Sequence, residues 1–173
     1  MNRRQWGMAG AGLAAAVAGA GWAWWRLRPG APLDGAEAEF WSSTFEGAHG
    51  TDVSMAQFRG KPLLLNFWAT WCPPCIEELP LINAFYRKHA GKGWQVLGLA
   101  VDQAGPVSRF LARQTLDFPV ALAGFAGAEL SRTLGNPSAA LPFSVAFGKE
   151  GGILQRKLGK FSAMELEQWS RLS

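Results

Sequence analysis

Two apolar runs dominate the hydrophobic pattern of the chain. Residues 61–69 read Lys-Pro-Leu-Leu-Leu-Asn-Phe-Trp-Ala, and residues 94–101 form a second run of the same kind. Continuous rather than alternating apolar stretches mark strands buried on both faces, in the middle of a sheet. The first run leads to Cys72, after which Pro73 and Pro74 suit the opening turn of a helix. That helix is expected over residues 73–89, kinked at Pro80 and closed by Gly91 and Gly93.

Further along, the pattern predicts a helix over about 106–114, a strand over 117–122 that starts at a proline, and a short helix over 128–134. Residues 144–147 and 153–158 read as two strands joined by a Gly151-Gly152 turn, which makes an antiparallel hairpin. Ser162 with Glu165 three residues later forms a capping box for a last helix over 163–172. Ahead of the first run, residues 40–45 alternate weakly, as a strand would, and a turn follows at 47–50. The order β-β-α-β-α-β-α-β-β-α predicts an α/β sandwich with a mixed central sheet.

The N-terminus behaves differently. Trp6 to Trp25 is a stretch of 20 uncharged residues between pairs of arginines, about the length that spans a hydrocarbon core. Trp6, Trp22, Trp24 and Trp25 at its ends fit interfacial aromatic belts. The stretch reads as one transmembrane helix or an export signal, with Arg3-Arg4 also suiting the twin-arginine route. Three parts follow: residues 1–28 as anchor or signal, 29–38 as linker, and 39–173 as one α/β domain. The short N-terminal tail places the domain outside the cytoplasm.

The net charge of +4 changes little in this picture. It belongs to residues 1–30, which hold Arg3, Arg4, Arg26 and Arg28 and no acid, so no basic face for nucleic acid is implied. Nor is there a glycine-rich phosphate loop or a Ser-His-Asp arrangement.

Only two cysteines are present, Cys72 and Cys75, too few for a disulfide framework or a four-thiolate zinc site. They could be structural, but a CxxC pair at a strand end, opening a helix behind Trp71, has the setting of a redox pair. Cys72 before the helix would attack, and Cys75 one turn in would resolve the mixed disulfide. The spacer residues Pro73 and Pro74 have no N–H to offer the Cys72 sulfur. The thiolate is then less stabilised, which biases the pair towards reduction of others.

Asn66-Phe-Trp-Ala-Thr-Trp-Cys-Pro-Pro-Cys75 resembles the active-site segment of the thioredoxin superfamily, specifically its membrane-anchored TlpA/ResA-like thiol:disulfide oxidoreductases. Phe58-Arg-Gly60-Lys61-Pro62, Glu78-Leu-Pro80 and Leu141-Pro142-Phe143-Ser144 support the likeness, which covers about residues 40–172. The resemblance implies a three-layer sandwich and a cis peptide at Pro142 facing the cysteines, with the Leu141 backbone pairing with substrate. It also implies that Asn66 replaces the buried acid of plain thioredoxin. Glu78, on the same helix face as Cys75, is the candidate for taking its proton, against a plainer reading as a solvated acid near the helix start. Trp68 and Trp71 are expected as core and rim, with Trp71 offering substrate an apolar contact.

The expected function is extracytoplasmic reduction of disulfides in specific proteins, of the cytochrome c or oxidase maturation type. The redox element would be the Cys72–Cys75 disulfide itself, with no metal and no other cofactor. The expected partners are disulfide-bearing or dithiol proteins, a membrane electron donor, and the membrane through residues 6–25; nucleic acid is not among them, and the protein would act as a monomer. The alternative is a Cu(I) metallochaperone using the same two thiolates. Against it, His49 falls in a predicted turn and His89 near the far end of the cysteine helix.

Overall fold

The computed structural model describes residues 35–172. The expected anchor over residues 6–25, and the part of the linker before Gly35, lie outside the described residues. No helix among the described residues is long and apolar enough to cross a membrane.

A seven-stranded sheet organises the domain. In chain order its strands are β1 (Thr44–Gly47), β2 (Val53–Ser54), β3 (Leu63–Trp68), β4 (Gln95–Ala100), β5 (Val120–Leu122), β6 (Phe143–Phe147) and β7 (Ile153–Leu158). Across the sheet they run β2-β1-β5-β4-β3-β6-β7. Strands β3, β4 and β5 are parallel, while β1, β6 and β7 pair antiparallel, so the sheet is mixed as expected. Every residue of β3 is buried, which follows from its place between β4 and β6 with helices on both faces.

The helices are α1 (Gly35–Ser42), α2 (Pro73–His89), α3 (Ala104–Leu111), α4 (Ala126–Thr133) and α5 (Ala163–Trp169). Leu79, Ile82 and Phe85 of α2, Val107 of α3 and Leu166 and Trp169 of α5 share one apolar layer with Leu64 and Trp68. Phe40 and Trp41 of α1 pack on the other face with Leu63, Leu65, Phe67 and Phe147. The α2 boundaries coincide with those read from its Pro-Pro start and Gly-rich exit, and the helix is continuous through Pro80. Ser162 and Glu165 form the expected reciprocal cap of α5.

Two expectations need correcting. Residues 35–38 are not linker, and 40–42 are not strand: both belong to α1. In a strand the neighbours Phe40 and Trp41 would point to opposite faces, whereas here both reach the core. Phe40 stacks on Phe147 with ring centres 4.9 Å apart, and Trp41 Nε1 donates to the Gly151 carbonyl at 2.7 Å. The strand expected over 117–122 begins only at Val120. Pro119 has no N–H for the ladder, and Asp117 is drawn towards α2, its N–H donating to Asn83 Oδ1 at 2.8 Å and its carboxylate accepting from Asn83 Nδ2 at 2.9 Å.

Candidate active site

The parallel strands β3, β4 and β5 all end at one edge of the sheet, and β6 starts there. This edge, outside the carboxyl ends of parallel strands, is where α/β sheets place their ligands. It collects Trp71, Cys72, Asp102 and the Leu141-Pro142 peptide.

Cys72 is the N-cap of α2 and Pro73 and Pro74 are its first two residues. The next two N–H groups, of Cys75 and Ile76, both donate to the Cys72 carbonyl, at 3.0 and 3.2 Å, and the cap side chain receives no hydrogen bond. The two cysteines are joined as a disulfide with a Cα–Cα separation of 5.3 Å. Cys72 retains a sliver of exposure while Cys75 is fully buried. Trp71, beside Cys72, is 63% exposed, and Trp68 is wholly buried.

The loop that carries Cys72 is gripped from β4. Asp102 Oδ2 accepts from the Thr70 N–H at 2.8 Å and from its hydroxyl at 2.6 Å, and Oδ1 accepts from the Gln103 N–H at 2.7 Å. This contact was missed in the sequence. The available signal was an acid placed immediately after a buried parallel strand, at the sheet edge where sites form.

The Leu141–Pro142 peptide is cis, as the resemblance implied. Leu141 is half-buried, and the Pro142 carbonyl accepts from the Gly159 N–H at 2.8 Å. The antiparallel register sets Phe143 opposite Phe67, and Ser144 opposite Asn66. The cis peptide therefore begins β6 directly beside the end of the strand that leads to the cysteines.

Glu78 is fully buried, one turn along α2 from Cys75. Its Oε1 accepts from Asn66 Nδ2 at 2.7 Å and its Oε2 from the Phe161 N–H at 2.9 Å. Desolvation raises its pKa above the usual carboxylate value of 4.5, opposed by the hydrogen bonds from Phe161 and Asn66 and, more weakly, by Lys157 and Lys160. Neighbouring Glu77 is exposed and pairs with Lys160 at 2.6 Å. The plainer reading, an acid in solvent, therefore suits Glu77 and not Glu78. The bonds from Asn66 to Ser144 and from Phe161 to Glu78 were invisible in the sequence because they span 78 and 83 residues.

The structure thus brings Trp71, Cys72, Pro73, Pro74, Cys75 and Glu78 together with the Leu141-Pro142 edge. The histidines stand apart from them. His49 lies in the turn between β1 and β2, and His89 ends α2, its ring tilted against that of Phe85. Among the described residues no group of three or more His, Cys, Asp or Glu is arranged to hold a metal.

Comparison with known proteins agrees with this arrangement. The Redoxin family matches residues 36–168. The thiol-disulfide oxidoreductase ResA of Bacillus thuringiensis subsp. konkukian is 35% identical over 121 residues, which is 69% of this chain and 68% of that protein. The sporulation thiol-disulfide oxidoreductase A of Bacillus subtilis is 29% identical over 77% of this chain and 78% of its own length. Among solved structures, a putative thiol:disulfide interchange protein DsbE from Chlorobium tepidum superposes with a TM-score of 0.66 at 29% identity, covering 73% of this chain and 89% of that one. StoA from Bacillus subtilis gives 0.61 at 27% identity, covering 75% and 96%. A disulfide at the mouth of a buried-acid helix, on this sheet and with this likeness along the chain, places the protein in the Redoxin family of the thioredoxin superfamily, among its ResA-like thiol-disulfide oxidoreductases.

Proposed function

We propose that this oxidoreductase works as a reductant of disulfides in specific partner proteins on the outer side of a bacterial cytoplasmic membrane. The observation that carries the direction is the start of α2. Its first two positions have no N–H, and the next two N–H groups are spent on the Cys72 carbonyl. Little is left to stabilise a Cys72 thiolate, so the dithiol is not favoured in the way it is in strongly oxidising relatives of this fold.

Cys72, as thiolate, attacks one sulfur of a partner disulfide. A mixed disulfide forms, and the partner's other sulfur leaves as a thiolate that takes a proton from solvent. Glu78 then accepts the Cys75 proton, and the Cys75 thiolate attacks the Cys72 sulfur. The Cys72–Cys75 disulfide closes, and the partner's second sulfur leaves as a thiolate that takes the proton back from Glu78. Two electrons have passed to the partner, and the oxidised pair is the product of that half-cycle. A membrane electron donor returns two electrons and two protons. Trp71 offers the partner an apolar contact, and the Leu141 backbone before the cis peptide pairs with its extended chain.

Residues 1–28 serve as the membrane anchor, with residues 6–25 in the bilayer, and maturation of c-type cytochromes or oxidases is the fitting context. The protein acts as a monomer and needs no cofactor beyond its disulfide. The test is a redox titration of the full chain together with insulin reduction. A potential as high as that of a strong dithiol oxidase overturns the direction, and full activity in Cys72→Ser overturns the chemistry. Stoichiometric tight Cu(I) binding without reductase activity would replace this reading with copper delivery.

A further inference from the structure

Asn66, Glu78 and Ser144 form a closed polar cluster between β3, α2 and β6, each with no more than 1% of its surface exposed. Asn66 Nδ2 spends its two N–H groups on Glu78 Oε1 at 2.7 Å and Ser144 Oγ at 3.0 Å. The other end of the amide, Asn66 Oδ1, is buried and has no partner. A buried carbonyl oxygen without a donor is costly, so its persistence calls for a use.

The cluster must serve Glu78 in two charge states if that residue takes and returns the Cys75 proton. The cations facing it cannot follow such a change. Lys157 from β7 is held by Glu165 at 2.6 Å, and Lys160 from the loop before α5 is held by Glu77 at 2.6 Å. The Phe161 N–H is fixed in the backbone and only donates. The remaining neighbour is the Asn66 amide, which carries donors at one end and an acceptor at the other.

We propose that Asn66 is a two-state positioning residue for Glu78: it gives N–H groups to the carboxylate and, after half a turn of its amide, gives its carbonyl oxygen to the carboxylic acid. The inference rests on the reading of Glu78 as the proton acceptor of Cys75. In the observed orientation two N–H groups are satisfied and the oxygen is not. In the turned one, Oδ1 accepts from the acid O–H and from the Ser144 hydroxyl, which rotates from acceptor to donor. The amide nitrogen then occupies the unpartnered side. One end of the amide is unpaired in both states, so turning it sacrifices no bond that the other state keeps. A donor placed on Oδ1 would lock the amide in the state that serves only the anion.

The test follows the full chain by NMR with 15N-labelled asparagine and 13C-labelled glutamate through the titration of Glu78. The expected result is that the Asn66 side-chain N–H signals move with the Glu78 midpoint, and that their NOE contact to the Ser144 β protons is lost on the acid side. Signals that stay constant through that midpoint, or an NOE that persists, overturn the proposal. In Asn66→Leu the Glu78 midpoint rises, because the charge-assisted bond to the carboxylate that is lost is stronger than the neutral bond to the acid lost with it. Resolution of a mixed disulfide slows in the same variant, because the carboxylate loses the amide that positions it, while the attack of Cys72 keeps its rate. An unchanged midpoint in folded Asn66→Leu also overturns it, and if that variant does not fold, the wild-type NMR result decides. Glu78→Gln separates the two levels of the argument. Resolution at the wild-type rate in Glu78→Gln removes the reading of Glu78 and this inference with it. Slowed resolution alongside fixed Asn66 signals removes this inference alone.

Discussion

Asp102 holds Thr70 through both the backbone N–H and the side-chain hydroxyl of that residue, at 2.8 and 2.6 Å. The end of β4 therefore fixes the three-residue approach to Cys72 from a neighbouring strand. Asp102→Ala leaves the Thr70 N–H without an acceptor beside a buried site, at a cost of about 1–3 kcal/mol. Thermal unfolding should show the lowered Tm, and the rate of Cys72 alkylation in the reduced protein should rise as the loop loosens. An unchanged Tm and an unchanged rate would show that the grip is not needed.

Pro74→Ala restores one N–H at the second position of α2 without moving a cysteine. That donor and the dipole of the helix start favour the Cys72 thiolate. The thiol pKa of Cys72 should fall, and the pair should become more oxidising by on the order of 30 mV, the equivalent of ~1.4 kcal/mol for two electrons. Equilibration with glutathione, read by alkylation, gives the potential.

Glu78 binds its proton more tightly in the folded chain than in the unfolded one, because burial raises its pKa from 4.5. The folded state thus holds more protons across the window above 4.5, and stability falls as pH rises through it. Glu78→Gln removes this dependence. Denaturant midpoints of the variant should be flatter over that window than those of the wild type, and equal slopes would contradict the burial argument.

Glu165 has the opposite sign. The Lys157 ammonium and the Ser162 cap lower its pKa from 4.5 to about 2. Its contribution to stability is complete above the unfolded value and is lost as pH falls from 4.5 towards 2. Because the pair is partly exposed, added salt should weaken the effect. Lys157→Met should shrink this acid limb of the denaturation curve and, by removing a cation that lowers the Glu78 pKa, slightly steepen the Glu78 limb.

What could be read along the chain was whatever local chemistry decides. The boundaries of α2 follow from Pro73-Pro74 at one end and the glycines after His89 at the other, and the α5 cap from Ser162 and Glu165. The pairing of β6 with β7 follows from the turn around Gly151, which has a positive φ of 90°. The α1 helix was not legible, because only Phe40 and Trp41 of its eight residues are buried and their partners, Phe147 and Gly151, lie over a hundred residues away. The cysteines, the cis peptide and Glu78 were legible from a motif. The environment of Glu78 was not, since it depends on the register that sets Asn66 opposite Ser144 and on the backbone of Phe161.

Pro80 gives the cysteine helix an uneven stiffness. Without an N–H it supplies no bond to the Ile76 carbonyl, so the ladder of α2 lacks a rung between the turn that carries Cys75 and Glu78 and the rest. Beyond that gap the helix is moored from outside: Asn83 and Arg87 to Asp117, and Lys88 to Glu167 at 2.7 Å. The compliant point thus falls between the reacting turn and these moorings. The reacting turn has its own holds, Glu78 on Asn66 and the Phe161 N–H, and Glu77 on Lys160, so the missing rung lies between two separately anchored stretches of one helix.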